Sequence, residues 1–225
     1  PPPVCGDNLV NQPSEQCEGT DSTASPAACR ANCTCPVPAT ATVEADVGLQ
    51  SGSPGANFGT TTSMAADASP AKESFLRIRV SGVSGRPVTG AVLRLQTTSS
   101  SASSSPSGGR LHTLGRCDWV ENTVTWNSRP SMNAGVVATA PAVMSNNPVD
   151  FDVSSVITGD GVYCFGLETS SSDDVVYNAR EASSGRPVVL LSAGADDHDD
   201  LHLHLDVVEH VDHLQHHDQL LEHVD

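Results

Sequence analysis

The chain has 225 residues, with 27 Asp and Glu against 11 Lys and Arg, and a formal net charge of −16 at pH 7. It has no basic stripe of the kind that binds nucleic acid. No apolar run approaches the roughly 20 residues that a transmembrane helix requires. Composition therefore argues against a nucleic-acid partner and against a membrane span within this segment.

The first part of the chain, residues 1–36, is rich in cysteine. A segment this small cannot bury its own core, so such density predicts disulfides and an oxidising compartment. A zinc site is the alternative, but the spacing lacks paired C-x2-C knuckles and no His is nearby. The chain begins without an initiator Met, so we expect a mature form or a fragment whose export signal lies upstream. The expected disulfide cysteines are Cys5, Cys17, Cys29 and Cys33, with the partner of Cys35 unassigned.

The second part, residues 37–193, reads as one β-rich domain of ordinary size. Short alternating segments are separated by clusters of Gly, Pro, Ser and Asn, and none has a convincing helical period. In "SFLRIRV", Phe75, Arg77 and Arg79 alternate with apolar neighbours. The pattern predicts an all-β fold, an antiparallel β-sandwich or jelly roll. The predicted strands are 42–49, 74–80, 88–97, 110–114, 122–126, 135–139, 148–153, 161–168, 175–178 and 187–191.

Two further features of this domain can be predicted from composition. The run 98–109, "TSSSASSSPSGG", is too polar to pack and is expected to be a mobile surface loop. Cys117 and Cys164 are the only cysteines in the domain, and a bridge between them is the economical hypothesis. Two separate buried thiols are the alternative.

The third part, residues 194–225, is a low-complexity tail that holds eight of the nine His and ten acidic residues. From residue 196 onwards it uses only six residue types. In a GC-rich gene, a one-base shift of the reading frame would turn most of their codons into codons for Thr and Ser. We therefore interpret this part as an out-of-frame reading of a Thr/Ser-rich linker. A metal site is one alternative, because His213 and His217 have the i,i+4 spacing that chelates zinc on a helix. An amphipathic helix without a metal is another, and a disordered tail is compatible with the composition.

The cysteine-rich part resembles a known repeat. The segment "CGDNLVNQPSEQC" (5–17) is similar to the Cys-rich repeats in surface proteins of myxobacteria and related bacteria. The resemblance implies a small spacer held by disulfides and implies no sugar site.

The β domain resembles the DNRLRE-type modules, a group that includes alginate-binding carbohydrate-binding modules attached to polysaccharide lyases. The resemblance implies a jelly roll that binds polysaccharide without cleaving it, in a secreted or cell-surface bacterial protein. The domain is poor in Lys, although an alginate binder needs cations to meet uronate carboxylates. The matching motifs, in the family's order, are "ADVGLQSGSPGANFGT" (45–60), "ESFLRIRVSGV" (73–83), "AVLRLQ" (91–96), "CDWVENTVTWNSRP" (117–130) and "VYNAREASSGRPVVL" (176–190).

Aromatic and cationic side chains are the candidates for a ligand site. An aromatic face can stack on the C–H face of a sugar, and arginines can meet an anionic glycan. Core packing is the alternative for both tryptophans, and a solvated sheet face or an ion pair is the alternative for the arginines. The candidate ligand-binding residues are Trp119, Trp126, Asn127, Arg77, Arg79 and Arg180.

Oxygen ligands near predicted strand ends suggest a structural calcium ion at Asp46, Asn57 and Asp67, although no Asp-x-Asp-x-Asp loop is present. We expect no other cofactor. No catalytic constellation emerges, since the single His outside the tail, His112, has no Ser or Cys in a nucleophile context. The predicted function is a monomeric polysaccharide-binding module within a larger chain. The alternatives are a structural stalk or adhesion domain without a glycan site and a fragment of a lyase.

Overall fold

The computed structural model of the protein describes residues 38–194. Its strands pair antiparallel and form two sheets, which confirms the predicted all-β sandwich. No helix of the described range is long and apolar enough to cross a membrane. The strands are β1 (Thr40–Gln50), β2 (Ser63–Ala68), β3 (Ala71–Ser81), β4 (Val88–Gln96), β5 (Gly109–Leu114), β6 (Met132–Ala140), β7 (Pro148–Asp152), β8 (Gly161–Glu168), β9 (Val175–Asn178) and β10 (Val188–Ala193), with a 3-10 turn at Ser101–Ser103.

The larger sheet has the order β6-β5-β8-β3-β2-β9, with β1 also paired to β3, and the smaller sheet has the order β10-β4-β7. Side chains that alternate along the strands meet between the sheets and form the main core. Leu76 and Ile78 of β3 face Leu93 and Leu95 of β4 in this core, together with Phe151 of β7. The predicted alternation of β3 is therefore correct.

A second apolar cluster covers the outer face of the larger sheet. A bulge between Val43 and Ala45 shifts the register of β1. Val43 thus belongs to the main core, while Ala45 and Val47 join the second cluster with Phe75 of β3. A bulge of this kind adds a residue to one strand and changes which face the following side chains occupy.

The connection between β5 and β6, residues 115–131, lies over this second cluster and is called the strap. Trp119 and Val124 of the strap pack there, and the Cys117–Cys164 disulfide joins the strap to β8. The predicted bridge is confirmed. The predicted disulfides among Cys5, Cys17, Cys29 and Cys33, and the hypotheses on the tail, concern residues outside the described range.

The predicted strand at 122–126 is wrong, because this stretch of the strap consists of turns. The backbone N–H groups of Thr123 and Val124 both donate to the carbonyl oxygen of Val120, and Ser128 N–H donates to Thr125. These local hydrogen bonds replace a strand ladder.

The serine-rich segment 98–109 packs closely, contrary to the prediction that it is too polar to do so. Ser103 and Ser105 are buried, and Ser105 exchanges two backbone hydrogen bonds with Val143. The buried Tyr177 hydroxyl donates to Gly108 O over 2.7 Å. Because hydroxyls and backbone groups satisfy one another here, a polar segment is buried without losing hydrogen bonds.

Candidate functional site

Trp119 anchors the strap and is only 4 % exposed. Its ring lies edge-on to Phe75, with 6.3 Å between the ring centroids. Arg77 lies over the same ring at 5.2 Å and donates to Trp119 O over 2.7 Å. Trp119 is therefore packed in the core, which was the alternative to ligand binding, and a sugar has no access to its ring.

The predicted ligand-binding arginines all lie in ion pairs within the chain. Arg77 and Arg79 both lie on the outer face of β3 and pair with Glu44. Arg180 donates to both carboxylate oxygens of Glu121 on the strap, at 3.3 and 3.1 Å. Arg180 thus lies in an ion pair, which was the alternative to ligand binding, and this pair fixes the strap to the segment that follows β9.

Trp126 lies on a turn of the strap and is half-buried. Its inner side packs against the second cluster, and the Arg129 guanidinium lies 3.5 Å from its ring centroid. Arg129 also donates to Trp126 O over 2.6 Å and to the Glu73 carboxylate over 2.8 and 3.4 Å. Arg129 is therefore fixed by three contacts, with the indole ring, with the Trp126 carbonyl oxygen and with the Glu73 carboxylate. It holds the indole in place in turn.

A shallow depression of about 380 Å³ opens beside this stack. It brings together two of the predicted ligand-binding residues, Trp126 and Asn127, and Asn127 is exposed. The backbone N–H of Asn127 donates to Pro54 O over 3.1 Å, which ties this end of the strap to the loop after β1. The lining residues are Glu73, Trp126, Asn127, Arg129, Pro130, Ser131 and Met132.

Sequence reasoning did not place Glu73, Arg129 or Ser131 at the site. Alternation along β3 could have shown that Glu73 shares the outer face with Phe75 and Arg77. The pairing of Glu73 with Arg129 joins residues 56 positions apart and has no local signal.

A cluster of acids lies where the strap meets β1 and the segment that follows β9. One carboxylate oxygen each from Asp46, Glu121 and Glu181 falls within 4.8 Å of the others. Asp46 is 1 % exposed, and its carboxylate accepts the backbone N–H of Arg180 over 2.8 Å. Burial is the main cause that raises the pKa of Asp46 from 3.8 to about 7, and the Glu181 and Glu121 carboxylates add to it. Gly59 is required here, because a Cβ at that position would lie 2.2 Å from Glu121 O.

Two of the three predicted calcium ligands, Asn57 and Asp67, have partners within the chain. Asn57 Oδ1 accepts the Gly59 N–H over 3.1 Å, and Asp67 pairs with Lys72. The donor set of Asp46, Glu121 and Glu181 could hold a cation, and Glu181 Oε2 has no hydrogen-bond partner among the described residues. The Arg180 guanidinium, however, already lies 3.1 Å from Glu121 and 3.5 Å from Glu181.

His112 is buried on β5 and has a structural environment. Its Nδ1 lies 3.0 Å from Asn133 O and its Nε2 lies 3.1 Å from a Glu168 carboxylate oxygen. Arg110 donates to both oxygens of the same carboxylate. The ring thus links β5 to β6 and β8 through hydrogen bonds.

Comparison with known proteins identifies a family for this chain. Residues 37–193 match the model of carbohydrate-binding module family 96. No curated protein matches the chain. The matched range includes the strap, the acid cluster and the depression at Trp126. Because it spans more than half of the chain, the protein belongs to carbohydrate-binding module family 96.

Proposed function

We propose that residues 37–193 form a non-catalytic module that attaches a secreted or cell-surface bacterial protein to a polysaccharide, with the depression beside Trp126 as the binding site. The family supports a carbohydrate ligand. The Cys117–Cys164 disulfide supports an oxidising, extracellular compartment. The module acts as a monomer within a larger chain.

The observation that carries this proposal is the fixed, partly exposed indole of Trp126. A sugar gains affinity from an aromatic ring that is already held in its bound orientation, because little conformational entropy is then lost on binding. Arg129 covers one side of the ring and is itself held by Glu73, while the second cluster packs against the inner side of the indole. A sugar would therefore contact the part of the indole that neither of them covers. Asn127 and Ser131 add amide and hydroxyl groups that can hydrogen-bond to sugar hydroxyls.

The lining of the depression also supports a role without catalysis. Glycoside hydrolysis by the usual mechanisms needs two carboxyl groups facing each other across the scissile bond. Glu73 is the one carboxylate among the lining residues that the structure describes, and Arg129 holds both of its oxygens. This arrangement suits binding.

Trp126→Ala is expected to weaken polysaccharide binding by at least about tenfold, since it removes the stacking surface and the support for Arg129. The matched control is Val120→Ala, an exposed apolar truncation on the same strap. Affinity gel electrophoresis of the full chain measures both variants, and thermal unfolding checks that each remains folded. Equal affinities for the two variants would reject the Trp126 site.

The same experiment separates the remaining alternatives. Binding that disappears with a chelator and returns with calcium would place a structural calcium ion under the site, as the sequence suggested. If the wild-type chain binds no polysaccharide in either condition, the module is a structural stalk or adhesion domain. Release of unsaturated sugar products would identify a lyase.

A further inference from the structure

The charges of the described domain do not suit a polyanion. Residues 38–194 contain 13 Asp and Glu but only 10 Lys and Arg. A polysaccharide made of uronates or sulfated sugars would meet a surface of its own sign. Binding would then depend on Lys and Arg side chains that can break their ion pairs within the chain and bind the ligand instead.

Eight of those ten cations pair with acids of the chain, while Arg86 and Arg186 donate to backbone carbonyl oxygens. The arginine on β4, Arg94, donates to both oxygens of Asp150 over 2.7 Å, and Arg110 binds Glu168 in the same two-pronged way. The pairs within 4.0 Å are Lys72 with Asp67 and Asp174, Arg77 and Arg79 with Glu44, Arg94 with Asp150, Arg110 with Glu168, Arg116 with Asp118, Arg129 with Glu73, and Arg180 with Glu121 and Glu181.

This geometry is the one that a uronate carboxylate would need. The guanidinium fork recognises a carboxylate through two parallel hydrogen bonds, and here the chain's own acids occupy the forks. A uronate at Arg129 would exchange one carboxylate for another and leave Glu73 unpaired in a half-buried position. The exchange gains no ion pair and exposes a repelling charge.

The depression itself offers what a neutral sugar uses. The indole of Trp126 can meet a C–H face, while Asn127 and Ser131 can donate to and accept from hydroxyls. The Glu73 carboxylate, held by Arg129, is an acceptor for hydroxyl donors at the rim. Hydroxyl donors pair with a carboxylate, whereas a uronate would be repelled by it.

We propose that the depression binds a neutral polysaccharide, recognised by stacking on Trp126 and by hydroxyl hydrogen bonds to Asn127, Ser131 and Glu73. This inference rests on the proposed function and assigns its ligand class. The ligand is a chain of hexose or pentose residues without carboxylate or sulfate groups.

The test compares matched polysaccharides on the full chain. Neutral glucans, mannans, galactans and xylans are assayed beside polyuronates, and each polyuronate is assayed beside its carboxyl-reduced form, at 20 and 200 mM NaCl. We expect a neutral polysaccharide to bind with an affinity that changes less than about twofold with salt, because no charge pairs form. Preference for a polyuronate, with affinity that falls as salt rises, would overturn the ligand class and leave the proposed function standing. Absence of binding to every polysaccharide would overturn both.

A variant that removes one negative charge provides a second test of the ligand class. Glu73→Gln frees Arg129 and removes the rim carboxylate, so we expect weaker binding of the neutral ligand, by roughly threefold to tenfold, and new salt-sensitive binding of polyuronate. Asp150→Asn makes the same charge change at the Arg94 pair on the smaller sheet and should alter neither. Thermal unfolding verifies both variants. If Glu73→Gln, like Asp150→Asn, changes neither the binding of the neutral ligand nor the binding of polyuronate, the assignment of a neutral ligand fails.

Discussion

Replacing both cysteines of the Cys117–Cys164 bridge with alanine is expected to lower the free energy of unfolding by about 4 kcal/mol. The bridge closes a loop with a sequence separation of 47 residues, which restricts the unfolded chain. It also fixes the strap to β8 within the second cluster, to which Trp119 belongs. Denaturant unfolding of the full chain, followed by tryptophan fluorescence, measures the loss, because both tryptophans lie on the strap.

Other hydrogen bonds also hold the strap in place. If they are sufficient without the disulfide, the predicted loss of stability will not be observed. Arg77 donates to Trp119 O, and Asn57 donates to Glu121 O and Val124 O, both over 2.7 Å. If the double variant loses less than about 1 kcal/mol, these hydrogen bonds hold the strap and the disulfide adds little. Adding reductant to the double variant controls for cysteines elsewhere in the chain.

The sheets were predictable because their signal is local. Alternation along β3 identifies which side chains face the main core, and turn residues bound most strands within a few positions. β2 was missed since "SMAADA" has few of the β-branched and aromatic residues that mark strands. The stretch 122–126 was mistaken for a strand because "NTVTW" alternates in the same way, although tertiary contacts of the strap decide its conformation.

The site was predictable only in part, because it depends on contacts between distant residues. Trp119 and Trp126 are seven residues apart on the strap, yet Trp119 is in the core and Trp126 is half-buried. Their difference follows from the positions of Phe75, Arg77 and Arg129 relative to the strap. The register bulge in β1 likewise decides that Asp46 is buried, and no sequence pattern indicates it.

The acid cluster has a consequence for stability that can be measured. Burial and the neighbouring Glu181 and Glu121 carboxylates outweigh the hydrogen bond from the Arg180 backbone and raise the pKa of Asp46 from 3.8 to about 7. A carboxyl whose pKa is higher in the folded state binds its proton more tightly there. The folded state therefore loses stability as the pH rises from about 4 to 7, by up to about 4 kcal/mol from this group.

Asp46→Asn is expected to remove this dependence, since an amide stays neutral at every pH and its oxygen can still accept the Arg180 N–H. The amide nitrogen can donate to the Glu121 and Glu181 carboxylates nearby. The variant should therefore be more stable than the wild type above pH 7 and similar to it near pH 4. Urea unfolding at pH 4 to 8 measures the difference between the two proteins, in which the titration of other groups cancels.

Asp150→Asn serves as a control at a carboxyl whose pKa is shifted in the opposite direction. The Arg94 guanidinium lowers the pKa of Asp150, so its pairing stabilises the fold at neutral pH and is lost in acid. Its removal should slightly destabilise the protein at pH 7, by an amount limited by solvent screening of an exposed pair. If the stability difference between Asp46→Asn and the wild type stays constant from pH 4 to 8, the pKa of Asp46 is the same in the folded and unfolded states. The Arg180 guanidinium then compensates the acid cluster completely.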